Sequence, residues 1–186
     1  MKDHYTVKAK SQGLRARSAY KLLQLNQKYN LIKKGDDVLD LGCWPGGWLV
    51  ASQRISKTGR VLGIDLTRIK PIEGVEFIQE DINKVKFEGK FDIVMSDMAP
   101  KTTGIHAMDV GRSIDLAEMA LKFAKKHLKE NGNFLVKVFQ GEGFDDYYKK
   151  VKKYFKFAKT TKPEASRKRS KEVYIVGFKF QNLHKS

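Results

Sequence analysis

The chain has 186 residues, 41% hydrophobic and 31% charged, the composition of a folded domain rather than of a disordered chain. A lone cysteine, Cys43, excludes a disulfide framework and any thiolate cluster, and no apolar run approaches the ~18 residues that span a bilayer. Lys and Arg number 37 against 21 Asp and Glu, and the resulting charge of +16 calls for a polyanionic partner.

The length suits one domain over residues 1–186. Met1–Tyr5 lack the apolar core of a signal peptide, and an unpartnered cysteine fits a reducing compartment, so the expected location is the cytoplasm. Residues 1–34 carry nine basic and one acidic side chains, residues 149–171 eleven and one, and the remainder is close to neutral. Two basic blocks around a neutral body suit a nucleic-acid binder with a separate working core. A membrane surface is the other available polyanion, but neither block shows the large apolar face of an interfacial helix.

In chain order, Arg17–Asn30 is predicted helical, with Ala19, Leu22, Leu23 and Leu25 on its apolar side. Val38–Gly42 reads as a short buried strand, and Gly47–Ile55 as the helix after it. Arg60–Leu66, Glu76–Ile82, Phe91–Met98 and Gly132–Phe139 are further predicted strands. Asp115–Glu130 has helical spacing, with Asn131-Gly132 as its expected C-cap. Phe144–Phe155 is a predicted helix and Glu172–Phe180 a strand. Lys162–Lys171, with Pro163, Ser166 and Ser170 among five basic residues, reads as a loop that orders on binding. Strands alternating with helices predict an α/β fold with a mainly parallel sheet.

Asp40-Leu41-Gly42-Cys43-Trp44-Pro45-Gly46-Gly47-Trp48 sits at a strand's carboxyl end and opens a helix, where α/β sheets bind ligands. The glycines allow close backbone approach, and the helix N-terminus offers N–H groups. The loop matches neither G-x-G-x-x-G nor the phosphate loop. Trp48 is placed to bury or stack on a flat group. The next strand ends in Asp65, placed to hold ribose hydroxyls, and the third in Glu80-Asp81, a candidate acceptor for an adenine amino group. Carboxylates at successive strand ends argue for a nucleoside pocket.

Gly46-Gly47-Trp48, Ser96-Asp97-Met98-Ala99-Pro100, Val136-Lys137-Val138-Phe139-Gln140-Gly141-Glu142-Gly143 and Ser170-Lys171-Glu172-Val173-Tyr174 together resemble the FtsJ/RrmJ family, S-adenosylmethionine-dependent RNA 2′-O-ribose methyltransferases. The resemblance runs from about Tyr5 to Phe180. It implies a Rossmann-like methyltransferase fold: a seven-stranded, mainly parallel sheet with its last strand antiparallel and helices on both faces. It implies S-adenosylmethionine as cofactor, held by Gly46, Trp48, Asp65, Asp81 and Asp97, and a catalytic tetrad of Lys21, Asp97, Lys137 and Glu172. On this reading residues 1–34 are a basic helical segment contributing Lys21, and 35–186 are the catalytic body with its basic loop at 162–171. Cys43-Trp44 departs from the two small residues usual in the loop, and a bulky Trp44 bears on how the methionine end of the cofactor is enclosed.

Ribose methylation needs the 2′-oxygen aligned with the methyl group and relieved of its proton. Alignment of two bound reactants accounts for several kcal/mol of such a barrier. The sulfonium is already a leaving group, so no metal is expected, and His4, His106, His127 and His184 lack ligand spacing. Lys137 interrupts an apolar strand, where a cation must be paired or functional. Its expected task is to position and deprotonate the 2′-hydroxyl. An ordinary lysine, with a pKa of about 10.4, is a poor base at neutral pH, so hydroxyl binding is the firmer of the two roles. The alternative is an ion pair that only stitches the sheet.

Amino-group base methylases need Asn/Asp-Pro-Pro-aromatic where this chain has Asp97-Met98-Ala99-Pro100, and cytosine-C5 enzymes need a cysteine in a later loop than Cys43. A non-catalytic RNA-binding assembly factor would not need a polar tetrad. The motifs around Asp97 and Lys137 resemble enzymes that methylate a uridine of large-subunit ribosomal RNA. Arg15–Leu23 is similar to relatives acting on tRNA anticodon loops, so tRNA stays as the alternative substrate. The expected partner is RNA, free or in an assembling large subunit, with no membrane, engaged by a monomer. Arg15, Arg17, Arg167, Lys168 and Arg169 are the expected phosphate clamp.

Overall fold

The computed structural model describes residues 11, 13–167 and 169–183. Met1–Tyr5, His4, Lys168 and His184, on which expectations were placed above, lie outside them. Seven strands form one sheet in the order β3-β2-β1-β4-β5-β7-β6. They are β1 (Val38–Leu41), β2 (Val61–Asp65), β3 (Val75–Gln79), β4 (Phe91–Ser96), β5 (Leu128–Phe139), β6 (Phe155–Thr161) and β7 (Glu172–Phe180). The helices are α1 (Ser18–Tyr29), α2 (Gly47–Ser56), α3 (His106–His127) and α4 (Phe144–Tyr154). The chain divides into two compact units: residues up to Glu88 with 163–168, and residues 89–162 with those from Arg169 onward.

In the first unit β1, β2 and β3 run parallel, with Asp40 opposite Gly63 and Asp65 opposite Gln79. All four β1 residues are buried, as the unbroken apolar run required. Gly63 is a packing requirement: a Cβ there would lie 2.7 Å from Leu49 Cδ1 and 2.8 Å from Cys43 Sγ. Helix α1 buries Ala19, Tyr20, Lys21, Leu22 and Leu25, and ends at Asn30 in the left-handed conformation, whose N–H donates to the Asn26 carbonyl. Pro163, Ala165 and Ser166 are buried. The Ala165 N–H donates to Gln24 Oε1 at 2.8 Å, and its carbonyl accepts from Arg17 at 2.6 Å. Half of the loop expected to order on binding is therefore already packed, because α1 supplies its hydrogen bonds.

In the second unit β4 and β5 are parallel, and β7 pairs antiparallel with both β5 and β6. The predicted last-strand reversal is present. Phe155 stacks on Phe134 and packs against Phe180, and Tyr147 on α4 donates to the Ala117 carbonyl of α3 at 2.7 Å.

The largest departures from expectation are in one helix and two strands. Helix α3 begins nine residues before Asp115 and ends at His127, so Asn131-Gly132 is no C-cap. Leu128 already pairs with Phe91, and Lys129 bonds Asp92 at 2.8 Å, which draws the chain straight into β5. Asn131, left-handed at φ 63°, lies in the irregularity where the register jumps from Phe91–Leu128 to Ile93–Asn133. Strand β3 stops at Gln79, which leaves Glu80-Asp81 in the following loop. Strand β6 was not foreseen: only Phe155 of its seven residues is fully buried, and its lysines merged with the basic block.

Replacing Gly63 with Ala is expected to destabilise the protein by about 1–3 kcal/mol through overpacking. The urea unfolding midpoint, at unchanged slope, is the measurement.

Candidate active site

Each unit holds a set of candidate polar residues of its own. In the first, β1 is followed by Gly42, whose N–H donates to the Ile64 carbonyl at 2.8 Å. The Trp44 N–H then donates to Asp65 Oδ2 at 2.8 Å, and the Thr67 N–H to Asp65 Oδ1 at 2.7 Å. Two main-chain donors thus orient the carboxylate, and each oxygen keeps a second lone pair for a hydroxyl. Gly46 is the N-cap of α2 at φ 100°, and no side chain caps that helix. A Cβ on Gly46 would lie 3.2 Å from Ile72 Cδ1 and 3.3 Å from Arg15 Cδ, so this position is both left-handed and crowded. Asp81 binds the Asn83 N–H (2.8 Å) and amide (3.1 Å) through Oδ1, in the loop past β3.

Trp48 is not an open stacking surface. Its ring is 3% exposed, and its indole N–H donates to the Ser18 carbonyl at 2.8 Å, so it joins α2 to α1. Trp44, by contrast, is 59% exposed. Cys43 is buried beside the β2 backbone. Burial pushes its thiol far above the ordinary range, and the Asp40 and Asp65 carboxylates push the same way.

In the second unit the β5–β7 register sets Lys137 opposite Tyr174 and Phe139 opposite Glu172. With period-two alternation, Lys137, Tyr174 and Glu172 share one face of the sheet. Asp97 directly follows β4. Lys137 Nζ, on a residue 7% exposed, donates to the Asp97 carbonyl at 2.6 Å and pairs with Asp97 Oδ1 at 3.1 Å. The Tyr174 hydroxyl donates to the same Oδ1 at 2.7 Å. Burial pushes the Tyr174 phenol well above its ordinary value, and the Asp97 and Glu172 charges push it further, so it is a standing donor. Beyond Asp97 the loop is pinned to α3: Thr103 N–H and hydroxyl donate to Asp109 Oδ1 at 2.7 and 2.9 Å. Those bonds hold the Asp109 carboxyl below the usual range. The Phe139 N–H donates to Ser113 Oγ at 3.0 Å, which fixes the end of β5.

Lys21 is buried on α1 in the first unit. Tyr174, which the sequence pattern does not single out, joins the Lys137–Asp97 cluster. It stands two places after Glu172 in a strand and so on the same face. Two of the expected clamp residues turn out to be struts: Arg15 donates to the Lys70 and Pro71 carbonyls, and Arg17 to that of Ala165. Arg167 and Arg169 are exposed. Among the described residues no group of three His, Cys, Asp or Glu side chains gathers as a metal site.

The FtsJ-like methyltransferase family profile matches residues 14–180, nearly the whole chain. The protein belongs to that family. Its sequence is 49% identical to the ribosomal RNA large subunit methyltransferase E of Methanothrix thermoacetophila, over 96% of this chain and 72% of that one. It is 47% identical to the protein of the same name from Archaeoglobus fulgidus, over 97% of both chains. A crystal structure of a Plasmodium falciparum protein described as a ribosomal RNA methyltransferase superposes with a TM-score of 0.81 at 30% identity, covering 89% of this chain and 98% of that one. The seven-stranded fold is thus the fold of this methyltransferase family.

One consequence concerns the only thiol. Cys43 is expected to resist iodoacetamide at pH 8–9 in the native protein, without the rise that an ordinary thiol of pKa about 8.5 shows. In urea it should alkylate fully; mass spectrometry of timed aliquots reads both states.

Proposed function

We propose that this protein transfers a methyl group from S-adenosylmethionine to the 2′-hydroxyl of a ribose in large-subunit ribosomal RNA, at a uridine, in the cytoplasm. The names of the relatives favour ribosomal RNA over tRNA as substrate. The observation that carries the chemistry is the buried Lys137–Asp97–Tyr174 cluster.

In this reading Gly46, Asp65 and Asp81 of the first unit hold the cofactor, with Trp48 holding the glycine loop against α1, and Asp97 of the second unit is assigned to it by the motif it occupies. These residues fit such a cofactor: a carboxylate is oriented by two N–H groups with lone pairs to spare, and a left-handed glycine stands where a Cβ would crowd its neighbours. When bound, the cofactor supplies an activated methyl on a sulfonium.

Asp97 engages two of the three hydrogen-bonding directions of Lys137 Nζ, through its carbonyl and its carboxylate. The third tetrahedral position is the one assigned to the 2′-oxygen. As an ammonium, Lys137 donates there and orients the hydroxyl. As a neutral amine it presents its lone pair at the same position and accepts the proton that leaves as the oxygen–carbon bond forms. Tyr174 holds Asp97 in place from across the strand pair. Lys21 and Glu172 complete the proposed tetrad by the motifs they occupy, and Glu172 also adds negative charge around Tyr174. Arg167 and Arg169 are the described residues of the clamp left for phosphates.

Transfer of a tritiated methyl to unmodified large-subunit RNA, followed by mapping of the product nucleoside, tests the reaction. Lys137→Ala should lower kcat by about 100-fold or more, the usual scale of a lost general base. Lys137→Arg keeps the cation but cannot deprotonate, and should be equally slow. Retention of activity by the arginine variant would leave Lys137 an orienting role only. Asp65→Ala should weaken cofactor binding by roughly 1–3 kcal/mol in calorimetry while leaving RNA affinity alone.

A further inference from the structure

Trp44 is unexplained by the reaction scheme. It is one of only two tryptophans, and it stands 59% exposed in the loop after β1, among residues that are otherwise largely buried. A large apolar ring left in water in the middle of a ligand loop is the anomaly that asks for a function. The cofactor assignment uses its backbone N–H, which holds Asp65 Oδ2 at 2.8 Å, and leaves the indole free of that task. The platform is held firmly: the Gly46 N–H donates to the Cys43 carbonyl at 2.7 Å, closing a turn around Trp44 and Pro45.

Beside this turn lies a fixed cation. Arg15 passes so close to Gly46 that a Cβ there would sit 3.5 Å from its Nη1, and the Lys70 and Pro71 carbonyls anchor its guanidinium. An exposed indole two residues from the glycine that Arg15 approaches puts a flat apolar face and a positive charge on one loop. Those suit two of the three parts of a nucleotide, its base and its phosphate.

We propose that the Trp44 indole is a stacking platform for a nucleobase of the RNA substrate, with Arg15, packed against Gly46 of the same loop, adding positive charge to that loop. The inference rests on the RNA reading above and deepens it, since it assigns base recognition to a residue outside the catalytic cluster. Aromatic stacking suits single-stranded or splayed RNA, because every base has a π-face. The target nucleotide or its neighbour is then held unstacked from the RNA by this ring.

The test compares wild type, Trp44→Ala and Trp44→Phe on unmodified large-subunit RNA, with cofactor affinity measured separately by calorimetry. Because the ring is exposed, thermal unfolding should be unchanged in both variants. Trp44→Ala should raise the RNA KM by about tenfold, the loss of one base stack, and Trp44→Phe should recover most of it. Cofactor Kd should stay within about twofold, since the N–H to Asp65 is main chain in every variant.

An independent reading comes from fluorescence. Trp48 is 3% exposed, so quenching by oligouridine reports Trp44, and should vanish in Trp44→Phe. Unchanged RNA KM in Trp44→Ala, with wild-type transfer intact, would overturn this inference alone. A weakened cofactor Kd with unchanged RNA KM would also overturn it, and would assign the ring to the cofactor wall. A wild type that methylates no RNA would overturn the functional reading and this inference with it.

Discussion

A lysine in the middle of an apolar strand is the constraint on which the second unit depends. Moving an ammonium out of water costs several kcal/mol unless a counter-charge and further hydrogen bonds await it. Lys137 meets both conditions through a single residue, Asp97, which offers a carbonyl and a carboxylate. Neither pairing alone would achieve this. The parallel β4–β5 register, Ser96 opposite Val136, brings the residue after β4 level with Lys137. The antiparallel β5–β7 register brings Tyr174 to the same carboxylate from the other side. Reversal of the last strand therefore has a chemical consequence, because a parallel β7 would present a different register to Lys137.

The first unit orients its carboxylate by the opposite means. Two backbone N–H groups, from Trp44 and Thr67, fix the plane of Asp65. Main-chain donors hold the carboxylate in place while leaving lone pairs open, whereas an arginine fork would occupy them. The loop that carries Trp44 is stabilised in turn by Trp48, which is anchored to α1 through the Ser18 carbonyl. A residue type expected to meet a ligand thus serves as a fastening, and its neighbour in the same loop is left exposed.

The basic charge also divides into two kinds. Arg15 and Arg17 bond backbone carbonyls, Lys149 pairs with Asp146, and Lys150 with Glu118. Exposed ion pairs such as the two lysine ones contribute little to stability and offset the charge of those lysines, whereas an arginine bonded to carbonyls is fixed in place and keeps its positive charge. Every described Lys and Arg of residues 149–171 is nonetheless exposed, whereas in the first block Arg15 and Arg17 are half-buried and Lys21 is buried, so among the described residues the open charge lies mainly in the second block.

The sequence by itself determined the elements whose signals are local. Glu172–Phe180 was read to the residue, and β1, α1 and α2 nearly so, because unbroken apolar runs, glycines and helical spacing are properties of neighbouring residues. Lys137 was legible as an anomaly for the same reason: a cation inside Phe134–Phe139 must be paired or functional, and that is readable without any structure. Tertiary structure decided what depends on distant partners. Leu128–Glu130 became strand because Phe91 and Asp92 were there to pair with them, and Phe155–Thr161 became an edge strand because β7 lay alongside. Tyr174 became part of the cluster, Arg15 and Arg17 became struts, and Trp48 was buried while Trp44 stayed exposed. Each of these outcomes was set by a hydrogen bond or a packing contact to residues far away in the chain, which no local pattern encodes.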